Sequence, residues 1–280
     1  MRPKIDAVMW PDGPWPQLRR EWEHAERLGI GRGWLWDHLV LGGRPVWHDA
    51  YAILAAAAAS TSTIGVGTMV TAPNFRHPVT TAKAALALDE VSGGRFVLGL
   101  GAGGAGADAE ALGTPPLTPA ERARRFAEFT EHVHTLLTRP APTLEGEWFT
   151  ARAAELGGGL PRRPPLAVAA TGPRGIALAA ERADWFVTQD IVRTAATPYA
   201  EVARQFAMLR EACSRTGRAT PSSVVVLGYG GERPLDSVEA LHDCVGRYAE
   251  LGATRVAVLW PRGDEAARQL AVLEKAEFTA

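Results

Sequence analysis

The sequence has little cysteine. Cys213 and Cys244 are the only two cysteines among 280 residues, and no metal-ligand spacing relates them. A disulfide-dense secreted fold and a cysteine-based zinc site are therefore excluded. Both cysteines fall in segments with helical patterning, so we expect buried free thiols in a protein of the reducing cytoplasm.

An excess of charge and long apolar runs are also absent. The formal net charge is -1 and no basic block occurs, which argues against nucleic acid or an anionic membrane as a partner. The opening MRPKIDAVMW has too short an apolar run for a signal peptide, and no later run is long enough to cross a bilayer. We therefore expect no nucleic acid, no membrane and a small-molecule partner.

What the sequence does contain is a regular alternation of apolar runs and helical segments. Continuous apolar strands in eight strand-helix pairs favour an α/β fold of the closed parallel (β/α)8 type, the TIM barrel, as a single domain over residues 1–280. The strands are predicted at residues 5–10, 33–37, 64–71, 95–101, 166–170, 185–188, 224–229 and 255–260. The helices are predicted at residues 15–28, 50–60, 80–92, 118–137, 173–182, 198–216, 237–251 and 264–278.

One stretch interrupts this alternation. Residues 139–165 hold several prolines and a triple glycine, which predicts a short irregular insertion with a small hairpin near residues 144–149. An open doubly wound sheet is the alternative fold. That fold requires a dinucleotide glycine pattern after the first strand, where the sequence reads WPDGPWP. The barrel is therefore the preferred prediction.

In a parallel barrel the working residues follow the carboxyl ends of the strands. Gly65, Gly67, Gly99 and Gly101 interrupt or end the third and fourth strands. Glycine in a strand usually marks a bulge or the close approach of another group. The turn at residues 171–174 opens a helix, so its backbone N–H groups either bind an anion or simply form a well-capped helix start.

Asp37-His38, at the end of the second strand, is the sharpest chemical signal. A histidine there can donate a hydrogen bond to a bound ring or transfer a proton near neutral pH. The structural alternative is that Asp37 caps the next loop and His38 is a satisfied structural histidine. We expect no metal site, because the other histidines fall on helices or separate loops.

Other chemistries find little support in the sequence. It contains no GxSxG elbow, and its strand-end carboxylates form no obvious pair for hydrolysis. Trp10 and Trp260 follow the first and last strands; ordinary packing is the preferred interpretation, and a wall for a flat-ring pocket is the alternative. The glycine-rich turns after the fourth and fifth strands, taken together, suggest a bound cofactor with a phosphate tail.

Three motifs give the chain a family resemblance. RLGIGRGWLWDHLV, STIGVGTMVTAPNFRHPVTTAKAALALDEVSGGRFVLGLGAG and PPLAVAATGPRGIALAAERADWFV occur in this order. They resemble the bacterial luciferase-like (β/α)8 oxidoreductases, especially the branch that uses the deazaflavin coenzyme F420. The resemblance implies a two-electron hydride enzyme and a homodimer.

The resemblance also implies roles for particular residues. Asp37 and His38 would lie against the cofactor as the catalytic pair, with His38 as the proton donor or orienting group. A non-prolyl cis peptide between Met69 and Val70 would support the back of the ring. The other cofactor-binding residues that the resemblance implies are Thr71, Gly101, Ala102, Gly103, Gly104, Ala170, Thr171 and Gly172.

Two departures from the family pattern bear on the substrate. Gly104 stands where the sugar-phosphate dehydrogenases of this branch have a glutamate, and only GGERPLD separates the seventh strand from the next helix. A more open mouth follows, which suits a small-molecule or peptide-like substrate and the reduction of an activated C=C or C=N bond. An FMN-dependent monooxygenase and a non-catalytic flavin-binding barrel are the alternatives.

Overall fold

The protein is described by a computed structural model over residues 3–44, 46–104, 106–156 and 162–276. Its centre is a closed barrel of eight parallel strands in the order β1-β2-β3-β4-β7-β8-β9-β10, with β10 pairing back to β1. The predicted (β/α)8 barrel is confirmed. The barrel strands are β1 (Lys4–Met9), β2 (Arg32–Leu35), β3 (Gly65–Thr68), β4 (Phe96–Leu100), β7 (Leu166–Ala169), β8 (Trp185–Gln189), β9 (Ser222–Leu227) and β10 (Arg255–Leu259).

Helices surround the barrel, and their starts follow from the sequence. A proline lies in the first turn of five of them, where its missing N–H leaves no hydrogen bond unmade. The longest begins with a capping box between Thr118 and Glu121. The helices are α1 (Trp15–Arg27), α2 (Ala50–Ser60), α3 (Pro78–Val91), α4 (Ala107–Ala111), α5 (Pro119–Thr138), α6 (Pro173–Arg182), α7 (Pro198–Thr216), α8 (Val238–Glu250) and α9 (Ala266–Lys275).

Three local features refine the predicted pattern. The insertion contains a hairpin of β5 (Leu144–Glu145) and β6 (Thr150–Ala151), so the predicted hairpin is confirmed. Helix α4 is an addition, because ADAEA is too short to show a helical period. The last helix was expected over residues 264–278; a 3₁₀ turn (Gly263–Glu265) precedes α9, and residues 277–278 lie outside the described residues.

The barrel interior is filled at its amino-terminal end. Asp6 is fully buried and accepts hydrogen bonds from Trp34 Nε1 at 3.0 Å and from Arg255 Nε at 2.7 Å. The Arg32 guanidinium lies over the rings of Trp34 and Trp185, and burial lowers its pKa to about 10. This polar layer closes the barrel axis below the apolar interior, which leaves the carboxyl-terminal end for a cavity.

The two cysteines lie in the outer layer of helices. Cys213 is on α7 and Cys244 is on α8, and both are buried and free, as the sequence predicted. Burial raises the pKa of the Cys244 thiol to about 11, so the thiolate is scarce at neutral pH. Among the described helices, none combines the length and the hydropathy that a membrane crossing requires.

Candidate active site

A cavity of about 470 Å³ opens at the carboxyl-terminal end of the barrel. It is bounded by residues that follow β2, β3, β4, β7, β8 and β9, where a parallel barrel places its ligands. Thr71 and Gly172, two of the twelve predicted site residues, do not line it. The predicted residues that do are Asp37, His38, Met69, Val70, Gly101, Ala102, Gly103, Gly104, Ala170 and Thr171.

The cavity wall carries no cation. Among the described lining residues none is lysine or arginine, and the ionisable ones are Asp37, His38 and Tyr229. The remaining wall is largely apolar or glycine backbone. A flat, uncharged group therefore suits this cavity better than an anionic one does.

His38 lines the cavity with a side chain that is 35% exposed. Its Nδ1 lies 2.9 Å from Asp108 Oδ2, whose residue is on α4. Asp108 belongs to the loop that follows β4, and no local sequence pattern predicts that it pairs with His38. His38 and Asp108 are seventy positions apart in the chain, and the pairing depends on how β2 and β4 are arranged around the barrel.

The Asp37 side chain has different hydrogen-bond partners from those of His38. Its carboxylate is buried and accepts hydrogen bonds from Thr71 Oγ1 at 2.9 Å and from Arg76 at 3.0 and 2.6 Å. Burial raises the pKa of Asp37, and the bonds from Arg76 and Thr71 oppose that shift. Thr71 itself accepts from the Tyr51 hydroxyl at 2.8 Å. With these acceptor sites filled, Asp37 supports the strand end and is poorly placed to act on a ligand.

Met69 and Val70 follow β3 and line the cavity, and together they are called the bulge here. The peptide bond between Met69 and Val70 is cis, so the expectation from the resemblance is confirmed. Thr71 N donates to Gly99 O at 2.8 Å, and Gly101 N donates to Thr71 O at 3.0 Å. An added Cβ at Gly101 would overlap Val70 Cγ2. The fourth-strand glycine thus makes room for the bulge.

Gly65 and Gly67, the two glycines inside β3, make room for protein side chains and not for a ligand. A Cβ at Gly65 would lie 2.6 Å from Arg32 Cζ, and a Cβ at Gly67 would lie 2.6 Å from the Trp34 ring. Both partners belong to the filled interior of the barrel. The sequence predicted that some group approaches these two glycines closely, and that group is a side chain of the barrel interior in both cases.

The aromatic wall of the cavity consists of Trp36 and Tyr229, with ring centroids 5.4 Å apart. Trp10 and Trp260 are not among the lining residues, so the alternative that they wall the pocket is wrong and the preferred packing interpretation holds. Trp260 is buried on the outside of β10 against His24 of α1, and Trp10 contacts Trp36 from behind at 5.0 Å. Strand alternation decides which side a residue faces, and the strand ends by themselves do not reveal it.

The position of Tyr229 is fixed by a buried carboxylate that the sequence did not single out for this purpose. Asp190 follows β8 and accepts backbone N–H groups of Gly228 and Tyr229 at 3.0 Å each and of Gly230 at 2.9 Å. Burial raises the pKa of Asp190, and these bonds oppose the shift. The loop after β9 is thus held against the end of β8.

The turn before α6 offers a site for an anionic tail. Gly172 is the residue that precedes the helix, has no side-chain cap, and leaves open space around its Cβ position. Arg204 of α7 approaches the Thr171 carbonyl with Nη2 at 3.5 Å. Free helix N–H groups with a nearby guanidinium suit a phosphate. No cluster of three or more His, Cys, Asp or Glu side chains within the described ranges is arranged to hold a metal ion.

Comparison with known proteins places this geometry in context. The family profile described as luciferase-like monooxygenase matches residues 5–230. The 4-hydroxyprotoasukamycin monooxygenase of Streptomyces nodosus subsp. asukaensis is 36% identical over 178 residues, which cover 61% of this chain and 47% of that protein. The 5,10-methylenetetrahydromethanopterin reductase of Archaeoglobus fulgidus is 35% identical over 181 residues, covering 65% and 51%. The chain thus matches about half the length of these curated relatives.

A solved structure extends the likeness to the whole barrel. An F420-dependent secondary alcohol dehydrogenase, in complex with an F420-acetone adduct, superposes with a TM-score of 0.84 over 99% of this chain and 98% of that one. The two sequences are 16% identical, so this likeness is one of fold. It includes residues 231–280, which the family profile does not reach.

Proposed function

This chain belongs to the luciferase-like monooxygenase family, and on that premise we propose that it is an oxidoreductase that uses coenzyme F420. It transfers a hydride between the deazaflavin and a small-molecule or peptide-like substrate. The observation that carries the proposal is the cavity, where Met69, Val70, the glycines that follow β4 and His38 meet at one barrel mouth.

The residues of the cavity fit such a cofactor. The Met69–Val70 peptide and the backbone of Gly101, Ala102 and Gly103 offer a surface without large side chains for a flat ring. The turn of Thr171 and Gly172, with Arg204 nearby, suits the phosphate of the tail. Gly172 is not among the cavity-lining residues, so a phosphate held at this turn would be separate from the cavity wall, and an anionic cofactor is compatible with a wall that lacks lysine and arginine among its described residues.

The protein's own contribution to the chemistry centres on His38. When bound, the deazaflavin supplies a carbon that gives or takes a hydride. His38 holds or moves a proton at the cavity wall, and Asp37 with Arg76 and Thr71 keeps the end of β2 in place.

The cavity also bears on the substrate class. Gly104 lines the wall where the sugar-phosphate dehydrogenases of the branch have a glutamate, and no lysine or arginine among the described lining residues could bind a phosphate there. An uncharged substrate, and the reduction of an activated C=C or C=N bond, therefore suit the site better than sugar-phosphate oxidation does. We also propose a homodimer in the cytoplasm, on the family resemblance.

An FMN-dependent monooxygenase is the second candidate. It is favoured by one relative, the 4-hydroxyprotoasukamycin monooxygenase, which is 36% identical to this chain over 178 residues. A flavin can activate oxygen, whereas the deazaflavin favours obligate hydride transfer. The cofactor that binds therefore separates the two functions.

Titration with each cofactor tests the proposal. Purified protein is titrated with F420 and, separately, with FMN while tryptophan emission is followed, since Trp36 lines the cavity. We expect saturable quenching by F420 that weakens in Trp36→Phe and persists in Trp148→Phe, because Trp148 is not among the lining residues. Tight binding of FMN with no response to F420 would overturn the proposal in favour of the monooxygenase.

A further inference from the structure

Asp108 is a buried carboxylate to which the proposed function assigns no role. Its side chain is 5% exposed, although it lies on the short helix α4 at the barrel mouth. Gly106, which precedes α4, has a φ of +145°, a conformation that other residues rarely adopt. The backbone therefore turns sharply here, and the turn delivers Asp108 to the loop that follows β2.

Asp108 binds three consecutive residues of that loop. Its Oδ1 accepts the backbone N–H of Leu39 at 2.9 Å and of Val40 at 3.2 Å. Its Oδ2 faces His38 Nδ1 at 2.9 Å. A carboxylate has only acceptor sites, so the hydrogen between these two atoms belongs to the imidazole. His38 thus carries its hydrogen on Nδ1.

The other ring nitrogen is left for the cavity. No hydrogen-bond partner of His38 Nε2 occurs among the residues that the structure describes, and the ring lines the cavity. Trp47 packs edge-on against the imidazole at 6.3 Å, which limits its rotation. With hydrogen on Nδ1, the neutral ring offers a free lone pair at Nε2.

We propose that Asp108 is a positioning residue that fixes the tautomer of His38, so that Nε2 meets the substrate as a proton acceptor. The catalytic meaning of this arrangement rests on the proposed function. In the oxidative direction, Nε2 takes the proton of a substrate X–H group. In the reductive direction, Nε2 first receives a proton and then delivers it to the substrate, while the Nδ1–H bond to Asp108 keeps the ring oriented.

A purely structural role is the competing explanation, since Asp108 also anchors Leu39 and Val40. Asp108→Asn separates the two roles. The amide oxygen can still accept from both backbone N–H groups, whereas the amide nitrogen then faces His38 Nδ1 as a donor. The ring must answer with an acceptor at Nδ1, so its hydrogen moves to Nε2.

Nitrogen-15 NMR of the imidazoles in the ligand-free protein reads this tautomer directly. His38→Ala assigns the His38 signals by their loss. Glu110→Gln is the matched control, because Glu110 is an exposed carboxylate on the same helix. We expect the Nδ1–H form in the wild type and in Glu110→Gln, and the Nε2–H form in Asp108→Asn. In the F420-loaded enzyme, Asp108→Asn should lower kcat by about 10–100-fold and leave KM nearly unchanged.

The inference is overturned if wild-type His38 carries its hydrogen on Nε2, or if Asp108→Asn leaves the tautomer as it was. It is also overturned if kcat in Asp108→Asn equals that of Glu110→Gln. Should Asp108→Asn fail to fold, the wild-type spectrum decides alone. Absence of F420 binding would remove the proposed function and leave the tautomer result standing, so the two failures are distinguishable.

Discussion

At the scale of single residues, Gly101 is the position where the cavity tolerates least change. It is buried, and an added Cβ would overlap Val70 Cγ2, next to the Met69–Val70 peptide. Val70 is stiff at χ1 and cannot easily rotate away. The space at Gly101 therefore belongs to the bulge, and backbone freedom is not the reason for this glycine.

Gly101→Ala tests that reading. We expect it to lower the free energy of unfolding by about 1–3 kcal/mol, as overpacking does, and to weaken cofactor binding. Gly104→Ala is the matched control, because Gly104 is exposed and its Cβ position is empty. That variant should stay within about 0.5 kcal/mol of the wild type. Urea unfolding measures both, and equal values for the two variants would contradict the explanation.

The residue scale also shows what the sequence could reveal of the site. Asp37 and His38 were found by their place at a strand end, and both lie at the cavity. Their partners, Arg76 and Asp108, come from other loops, and only the assembled barrel brings them close. These two adjacent residues therefore have different environments. The Asp37 carboxylate accepts hydrogen bonds from Thr71 and Arg76, whereas His38 bonds Asp108 through Nδ1 and leaves Nε2 at the cavity.

At the scale of elements, the loop between β8 and α7 is tied down by one carboxylate. Glu201 Oε2 accepts the backbone N–H groups of Thr194 and Ala195 at 2.9 Å each. Its Oε1 accepts from Gln205 Nε2 at 3.1 Å and pairs with Arg204. Burial favours the neutral acid, but the bonds from Arg204, Thr194 and Ala195 outweigh it and hold the pKa of Glu201 well below its usual range.

Glu201→Gln should therefore destabilise the protein in a pH-dependent way. An amide nitrogen would face Arg204 or the loop N–H groups as a second donor, so we expect a loss of about 1.5–3 kcal/mol at pH 7. Because the folded pKa lies below the unfolded one, the wild type's advantage is complete above pH 4.5 and shrinks as the pH falls below it. Urea unfolding of both proteins from pH 7 to pH 3 measures this difference.

A control variant makes the result specific. Glu211→Gln removes an exposed carboxylate from the same helix and should change stability little at any pH. A difference between wild type and Glu201→Gln that stays constant down to pH 3 would show that the charge of Glu201 is not what holds the loop.

Elements differ in how well the sequence predicted them. The eight strands and the long helices follow from runs of apolar residues and their period, so their order was predictable. Helix α4 was not, since its five residues are defined by the turn at Gly106 and by the contacts of Asp108. Whether Trp260 points into the barrel or away from it depends on the register between β10 and β1, which the local sequence does not reveal.

At the scale of the whole molecule, the barrel is closed where its first strand, β1, pairs with its last strand, β10. β1 pairs with β10 from Lys4↔Arg255 to Val8↔Leu259, and Trp10 Nε1 donates to Trp260 O at 2.7 Å. The buried Asp6 depends on Arg255 from β10. The family profile stops at residue 230, before β10 begins. The profile therefore covers the site but not the closure.

Deletion of residues 231–280 should abolish cooperative folding. β1 and β9 would both become unpaired edges, and Asp6 would be left buried without its guanidinium partner, which is strongly destabilising. Thermal unfolding followed by near-ultraviolet circular dichroism should show no transition in the truncated chain. A transition at the full-length midpoint would mean that the first 230 residues fold independently of β10.

The layer of Asp6, Arg32 and Arg255 has a kinetic consequence. It closes the amino-terminal end of the barrel, so ligands that share the cavity enter and leave through the opposite mouth. A ligand bound deep in this cavity would lie beneath anything that binds nearer the mouth, and that second ligand would block its escape. On the proposed function, we therefore expect turnover in a compulsory order, with the cofactor first in and last out.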